Sequence, residues 1–257
     1  MGLERDERMS SDAICQMASQ LLSKASKREA TQAVEMIETV TKLLQNDADL
    51  GQLKLINSAL KEMRYSYEIF NKYKGVRKVS IFGSARTPED HPDYLSAHTF
   101  GKKLAEHGWM SITGAGDGIM KAGHEGPGQE ASFGLRIRLP FETTANDVIA
   151  EDPKLVNFRY FFTRKLMFLT HSEAVAALPG GFGTMDELFE TLTLIQTNKL
   201  EKKMPIYLFG REFWDGLINF EHFVDWGVIS PDDINLFKIV DSVEEAYKSL
   251  LHDLKES

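Results

Sequence analysis

The segment Pro179-Gly180-Gly181-Phe182-Gly183-Thr184-Met185-Asp186-Glu187 places three glycines, a hydroxyl and two carboxylates within nine residues. An apolar run, Ala174 to Leu178, precedes it, and a helical pattern from Leu188 through Ile195 follows it. The glycines therefore fall at a strand-to-helix junction. Backbone N–H groups can approach a ligand closely there, and the helix N-terminus adds partial positive charge, so the place suits a phosphate. Thr184 can cap the helix or donate to a phosphate oxygen. Glu187, three residues on, is either the capping-box partner of Thr184 or a carboxylate with work to do beside the anion cradle. Upstream, Thr163-Arg164-Lys165 opens another helical segment and offers two cations to the same place; Arg can grip a phosphate bidentately.

These residues need a scaffold. From Val76 onward, short apolar runs alternate with helical patterns. Strands are expected at Val79–Phe82, Trp109–Thr113, Phe133–Leu139, Ala174–Leu178, Pro205–Gly210 and Phe237–Val240. Helices are expected over Leu95–His107, Phe162–Thr170, Thr184–Gln196, Glu212–Asp225 and Val243–Lys255. This alternation predicts an α/β fold, a Rossmann-like doubly wound parallel sheet with helices on both faces. Ligands bind at the carboxyl ends of the strands in such folds. The strand ends at Gly83-Ser84, at Gly114-Ala115-Gly116-Asp117-Gly118 and at Gly180 should then converge on one crevice.

The first 74 residues differ. They are rich in helix formers, and Leu53, Ile56, Leu60, Met63, Tyr67 and Phe70 recur at spacings of three and four, one apolar helix face. With Arg28–Leu44, and a third helix around Ala13–Leu22, this is a helical extension over 1–74, joined at Lys74-Gly75 to a nucleotide-binding domain over 75–257. Its stripe must pack on the following domain or on another subunit.

Composition excludes several classes. The chain has 257 residues and a net charge of -8, which argues against a nucleic-acid partner but not against one small phosphate ligand. Cys15 is the only cysteine, Met1–Asp6 lacks a signal-peptide apolar region, and no run approaches a membrane span, so a cytoplasmic protein is expected. Gly114, Gly116 and Gly118 do not make G-x-G-x-x-G, and no acidic residue follows at the distance a dinucleotide site needs; no Walker motif is present. The seven histidines show no metal spacing and are expected at the surface or at helix ends, with no metal and no cofactor.

Pro179–Glu187 matches a P-G-G-x-G-T-x-x-E signature, Arg164-Lys165 matches an upstream Arg-Lys pair, and Phe82–Arg86 and Gly114–Met120 look like two further loops in order. The chain from about Val76 to about Lys255 thus resembles the Lonely Guy (LOG) family, nucleoside 5′-monophosphate phosphoribohydrolases once often labelled lysine decarboxylases. No motif for a Schiff-base lysine is present. The N-terminal extension resembles a longer bacterial subgroup often named AMP nucleosidase. The resemblance implies cleavage of AMP or a cytokinin riboside monophosphate to free base and ribose 5-phosphate, without cofactor, in a homodimer or larger assembly. It implies that Arg164 and Glu187 are catalytic. It also implies that Gly83, Ser84, Gly114, Gly116, Asp117, Gly118, Met120, Asn146, Lys165, Gly180, Gly181, Phe182, Gly183, Thr184 and Thr193 contact substrate or its phosphate. Asn146 stands where short members carry a glutamate, and Phe161-Phe162-Thr163 replaces a Met-His-Glu-like lead-in, two departures that bear on base specificity. Asp186, Asp117 and Glu142 are candidates to protonate the leaving base. A non-catalytic carrier of an anionic ligand on the same fold is the alternative.

Overall fold

A computed structural model describes residues 10–140, 144–200 and 202–255. The chain divides into two compact units, one running to Ser58 and the other from Ala59 to the C-terminus.

In the first unit, α1 (Ser11–Lys24) and α2 (Lys27–Gln45) pack together. Both start where an N-cap is available. Ser10 accepts from Ala13 N–H, and Ser26 and Glu29 form a capping box. The unit keeps a row of apolar side chains in solvent, including Met36, Ile37, Val40 and Leu44. Helix α3 (Leu50–Phe70) begins in this unit and ends in the next. Asp49 and Gln52 exchange backbone-to-side-chain bonds at its start, and Gly51 lies within the helix, although Asp47–Gly51 reads in the sequence as the turn between two helices.

The second unit is a seven-stranded, wholly parallel sheet. Its strands are β1 (Lys78–Phe82), β2 (Met110–Thr113), β3 (Ser132–Ile137), β4 (Leu155–Phe158), β5 (Ala174–Ala177), β6 (Ile206–Phe209) and β7 (Phe237–Val240). Their order is β4-β3-β2-β1-β5-β6-β7. The chain winds outward from β1 in one direction, returns, and winds outward from β5 in the other. The switch point lies between β1 and β5, where a crevice must open. Helices fill the crossovers: α4 (Pro92–Glu106), α5 (Ile119–Glu125), α6 (Phe161–His171), α7 (Phe182–Gln196), α8 (Arg211–Leu217), α9 (Phe220–Asp225) and, after β7, α10 (Val243–Lys255). Alternation along each strand feeds two cores. Val79, Ile81 and Tyr207 pack beneath α4, α5 and α10. Phe82, Val175 and Leu208 pack with α6, α7 and the end of α3. The Rossmann-like expectation holds.

Four local expectations need correction. β4 was not anticipated, because its four residues follow the polar run Glu151–Lys154 and pair on one side only. α5 was read as part of the Gly114–Met120 loop; it begins directly after Gly118 and is only seven residues long. The helix expected over Glu212–Asp225 breaks at Ile218, whose backbone is extended, and Asn219 caps a new helix. The boundary expected at Lys74-Gly75 does not divide the compact units, since Ile69 and Phe70 belong to the core of the sheet.

Phe70 is 2% exposed and stacks between His171, 3.8 Å away, and Phe133, 4.4 Å away. Phe70→Ala should cost about 3–5 kcal/mol through lost burial and the cavity left behind. Urea denaturation checks this, and a loss below about 1 kcal/mol would mean the stack is dispensable.

Candidate active site

Three loops leave the carboxyl ends of β1, β2 and β5 and bond to one another. Ser84, after β1, donates its N–H to Pro179 O at 3.1 Å and accepts from Ile119 N–H at 3.0 Å. Contact is so close that glycine is required at two points. A Cβ on Gly118, whose φ is +60°, would collide with Ser84 O, and one on Gly180 would collide with the Thr184 side chain. Gly83 abuts Ile119, while Gly114 and Gly116 lie under Met120. The expected convergence of the three strand ends is therefore present.

The β2 loop is braced from below. Ala115 holds a left-handed backbone, φ 63°, at a cost of about 1–2 kcal/mol for a residue with a Cβ. Its N–H donates to Thr113 Oγ1 at 3.1 Å and its carbonyl accepts from Asn146 N–H at 2.9 Å. The Asn146 side chain donates to Gly116 O at 2.9 Å and to His124 Nδ1 at 3.2 Å. His124 Nε2 lies 3.0 Å from Phe133 O, which can only accept, so the proton sits on Nε2. Burial pushes the His124 pKa down to about 4, keeping the ring neutral. Asn146, 4% exposed, is thus occupied in holding the loop. His124 departs from the expectation of surface histidines. The clue was its place in an apolar stretch just after the glycine loop, which periodicity alone cannot distinguish from a surface helix end.

Across the crevice, α6 and α7 present charged groups. Arg164 Nη2 donates to Glu187 Oε1 at 3.0 Å, with side chains 12% and 6% exposed. The guanidinium rests over the Phe161 and Phe168 rings, and its Nε has no partner among the described residues. Burial raises the Glu187 pKa; Arg164 and Lys165 pull it back, but the net direction stays upward. Lys165 Nζ bonds Asp186 at 2.8 Å and Glu190 at 2.6 Å. Burial alone would lower its pKa, yet those two bonds and the Glu187 charge carry it upward. Two cations and three carboxylates therefore interlock, and Lys165 is already engaged by acids.

Helix α7 starts at Phe182, two residues before the expected start, with Gly181 as N-cap and no side-chain cap bond. Thr184 is buried in its first turn. The capping-box alternative for Glu187 fails, because its carboxylate faces Arg164 rather than the helix start. The first N–H groups of a helix have no intrahelical acceptor, so an anion could bind there. Phe182 is 96% exposed at this edge. An open groove of about 890 Å³ runs alongside, with Phe162, Lys165, Phe182, Asp186 and Thr193 among its walls. The Thr193 hydroxyl is donated to Phe189 O. Asp117 is exposed on the β2 loop, and Glu142 lies outside the described residues.

A family described as “Possible lysine decarboxylase” matches residues 114–250. A probable cytokinin riboside 5′-monophosphate phosphoribohydrolase of Oryza sativa subsp. japonica is 28% identical over 182 residues, 68% of this chain and 76% of the relative. A cytokinin riboside 5′-monophosphate phosphoribohydrolase of Arabidopsis thaliana is 25% identical over 181 residues, 68% of this chain and 81% of the relative. Among solved structures, a molybdenum cofactor carrier protein from Chlamydomonas reinhardtii superposes with a TM-score of 0.50 at 22% identity, over 70% of this chain and 99% of the other. That likeness concerns the fold.

A folded-state carboxyl pKa raised above its unfolded value favours the neutral form. Its contribution is fully present below the ordinary glutamate range and is lost as pH rises. Glu187→Gln lacks this loss and still offers Arg164 an acceptor. The variant should therefore gain stability relative to the parent as pH rises from about 3.5 to about 7. Parallel urea denaturation curves at the two pH values test this; a gap that narrows with rising pH would show the carboxylate is at ease in the fold.

Proposed function

The chain belongs to the LOG (Lonely Guy) family, described as “Possible lysine decarboxylase”, and from that premise we propose that it hydrolyses the N-glycosidic bond of a purine nucleoside 5′-monophosphate. AMP, or a cytokinin riboside monophosphate, would give free base and ribose 5-phosphate. The observation that carries this reading is the buried Arg164–Glu187 pair at the meeting point of three strand-end loops.

Breaking the bond between C1′ and the base nitrogen sends the electron pair to the base and leaves an oxocarbenium-like sugar. A fixed carboxylate is worth most where that positive charge develops. Glu187 stabilises it and takes a proton from the water whose oxygen bonds to C1′. Its raised pKa suits a group that must accept a proton. Arg164 orients Glu187 and offers its unpartnered Nε–H to the ribose or phosphate. The phosphate sits on the backbone of Gly180–Thr184 and Gly114–Gly118, supplying binding energy remote from the reacting carbon. Lys165, committed to Asp186 and Glu190, tunes the charge at the rim instead of serving as the main phosphate ligand. Asp186 is held by Lys165, which leaves Asp117 the better candidate among the described carboxylates to protonate the base.

The aromatic lead-in, Phe161 and Phe162, both exposed, offers a purine base a stacking surface. Assembly as a homodimer or larger, and the cytoplasm as its setting, belong to the same proposal. No helix among the described residues is long and apolar enough to cross a membrane.

Glu187→Ala and Arg164→Ala should each lower release of ribose 5-phosphate from AMP by at least ~100-fold, the size expected for one charged catalytic group. Near-normal release by both variants would remove the assignment.

A further inference from the structure

Helix α6 carries Arg164, yet its own N-cap residue, Tyr160, makes no side-chain cap bond. A carboxylate from another element fastens the helix start instead. Glu62, on α3, accepts from the Arg159 backbone N–H at 2.8 Å through Oε1 and from the Thr163 hydroxyl at 2.6 Å through Oε2. The partners lie 97 and 101 positions away in sequence. A negative charge at a helix start is favourable both for the unpaired N–H groups and for the helix dipole. The second bond adds orientation. Thr163 is fully buried and immediately precedes Arg164, so fixing its hydroxyl fixes the rotation of the first turn about the helix axis. The other end of the brace is rigid, because α3 is fastened to the sheet by Ile69 and Phe70 two turns beyond Glu62.

We propose that Glu62 is a positioning residue, which holds the first turn of α6 in the rotation that aims Arg164 at Glu187. This rests on the reading that the Arg164–Glu187 pair is catalytic. Glu62 itself bonds only Arg159 and Thr163 in this network and acts through Arg164. Geometry, more than charge, is what it supplies. In Glu62→Gln the remaining oxygen still accepts from Arg159. The new amide donates to Thr163 Oγ1, whose hydrogen turns to Tyr160 O, already 2.9 Å away.

The test compares the full-length parent, Glu62→Ala and Glu62→Gln with two readouts. One is kcat and KM for base release from AMP. The other is the titration of the Glu187 carboxyl, followed by carbon-13 NMR and identified by its absence in Glu187→Gln. In Glu62→Ala, kcat should fall about tenfold with KM within about twofold, as misorientation of a catalytic group predicts. Glu187 should titrate at higher pH, having lost Arg164 while its other charged neighbours, Lys165 and Glu190, remain. Glu62→Gln should return both readouts close to the parent. Should Glu62→Ala fail to fold, Thr163→Val removes one of the two bonds and should move both readouts the same way by a smaller amount. Lower stability with parental kcat and parental Glu187 titration would overturn the proposal, as would an equal loss in the Gln and Ala variants. If the parent releases no base, the proposed activity falls, and the Glu187 titration alone decides the role of Glu62.

Discussion

Burial of the Glu187 carboxylate is the constraint around which the active region is arranged. Taking an ionised carboxylate out of water costs several kcal/mol unless it is paired and hydrogen-bonded. Arg164 provides one bond at 3.0 Å, and this does not fully offset the burial, since the neutral acid remains favoured relative to water. The neighbouring acids are handled separately. Lys165 gathers Asp186 and Glu190, so the cluster is not three carboxylates crowding one arginine. The proposed reading needs this arrangement, a carboxylate held where positive charge would develop on the sugar.

The loops opposite are shaped by close approach of the backbone and by a side-chain brace beneath it. Gly118 and Gly180 allow the chain to run against Ser84 and Thr184 where no Cβ fits. The strained turn at Ala115 persists because Thr113, His124 and Asn146 form a closed hydrogen-bond brace beneath it, with His124 kept neutral by burial. Rigid backbone amides on one side and a poised carboxylate on the other make a crevice with a division of labour. On the proposed reading, anion binding falls to the loops and chemistry to the helix pair.

Much of this was legible in the sequence because it rests on short-range pattern. The six apolar strand cores, the Pro179–Glu187 junction and the Arg164-Lys165 pair are contiguous features whose chemistry follows from residue type. What was illegible depended on contacts distant in the chain. Asn146 looked like a ligand contact by position, but its amide is used by Gly116 and His124. Glu62 looked like one more acid on an amphipathic helix, and only the fold brings it to Thr163. Lys165 looked like a phosphate cation until α7 placed two carboxylates against it. The seven-residue α5 is too short for periodicity to register, and β4 is an edge strand behind a polar run.

The central claim is that Glu187 faces a sugar whose bond to its base is broken, not merely a nucleotide that is held. Mixing AMP with a molar excess of the protein and following the sugar protons by NMR tests this without depending on turnover rate. Hydrolysis gives loss of the AMP signal with equal amounts of adenine and ribose 5-phosphate appearing. AMP that is fully bound and then recovered intact would contradict it and assign the same crevice to a carrier.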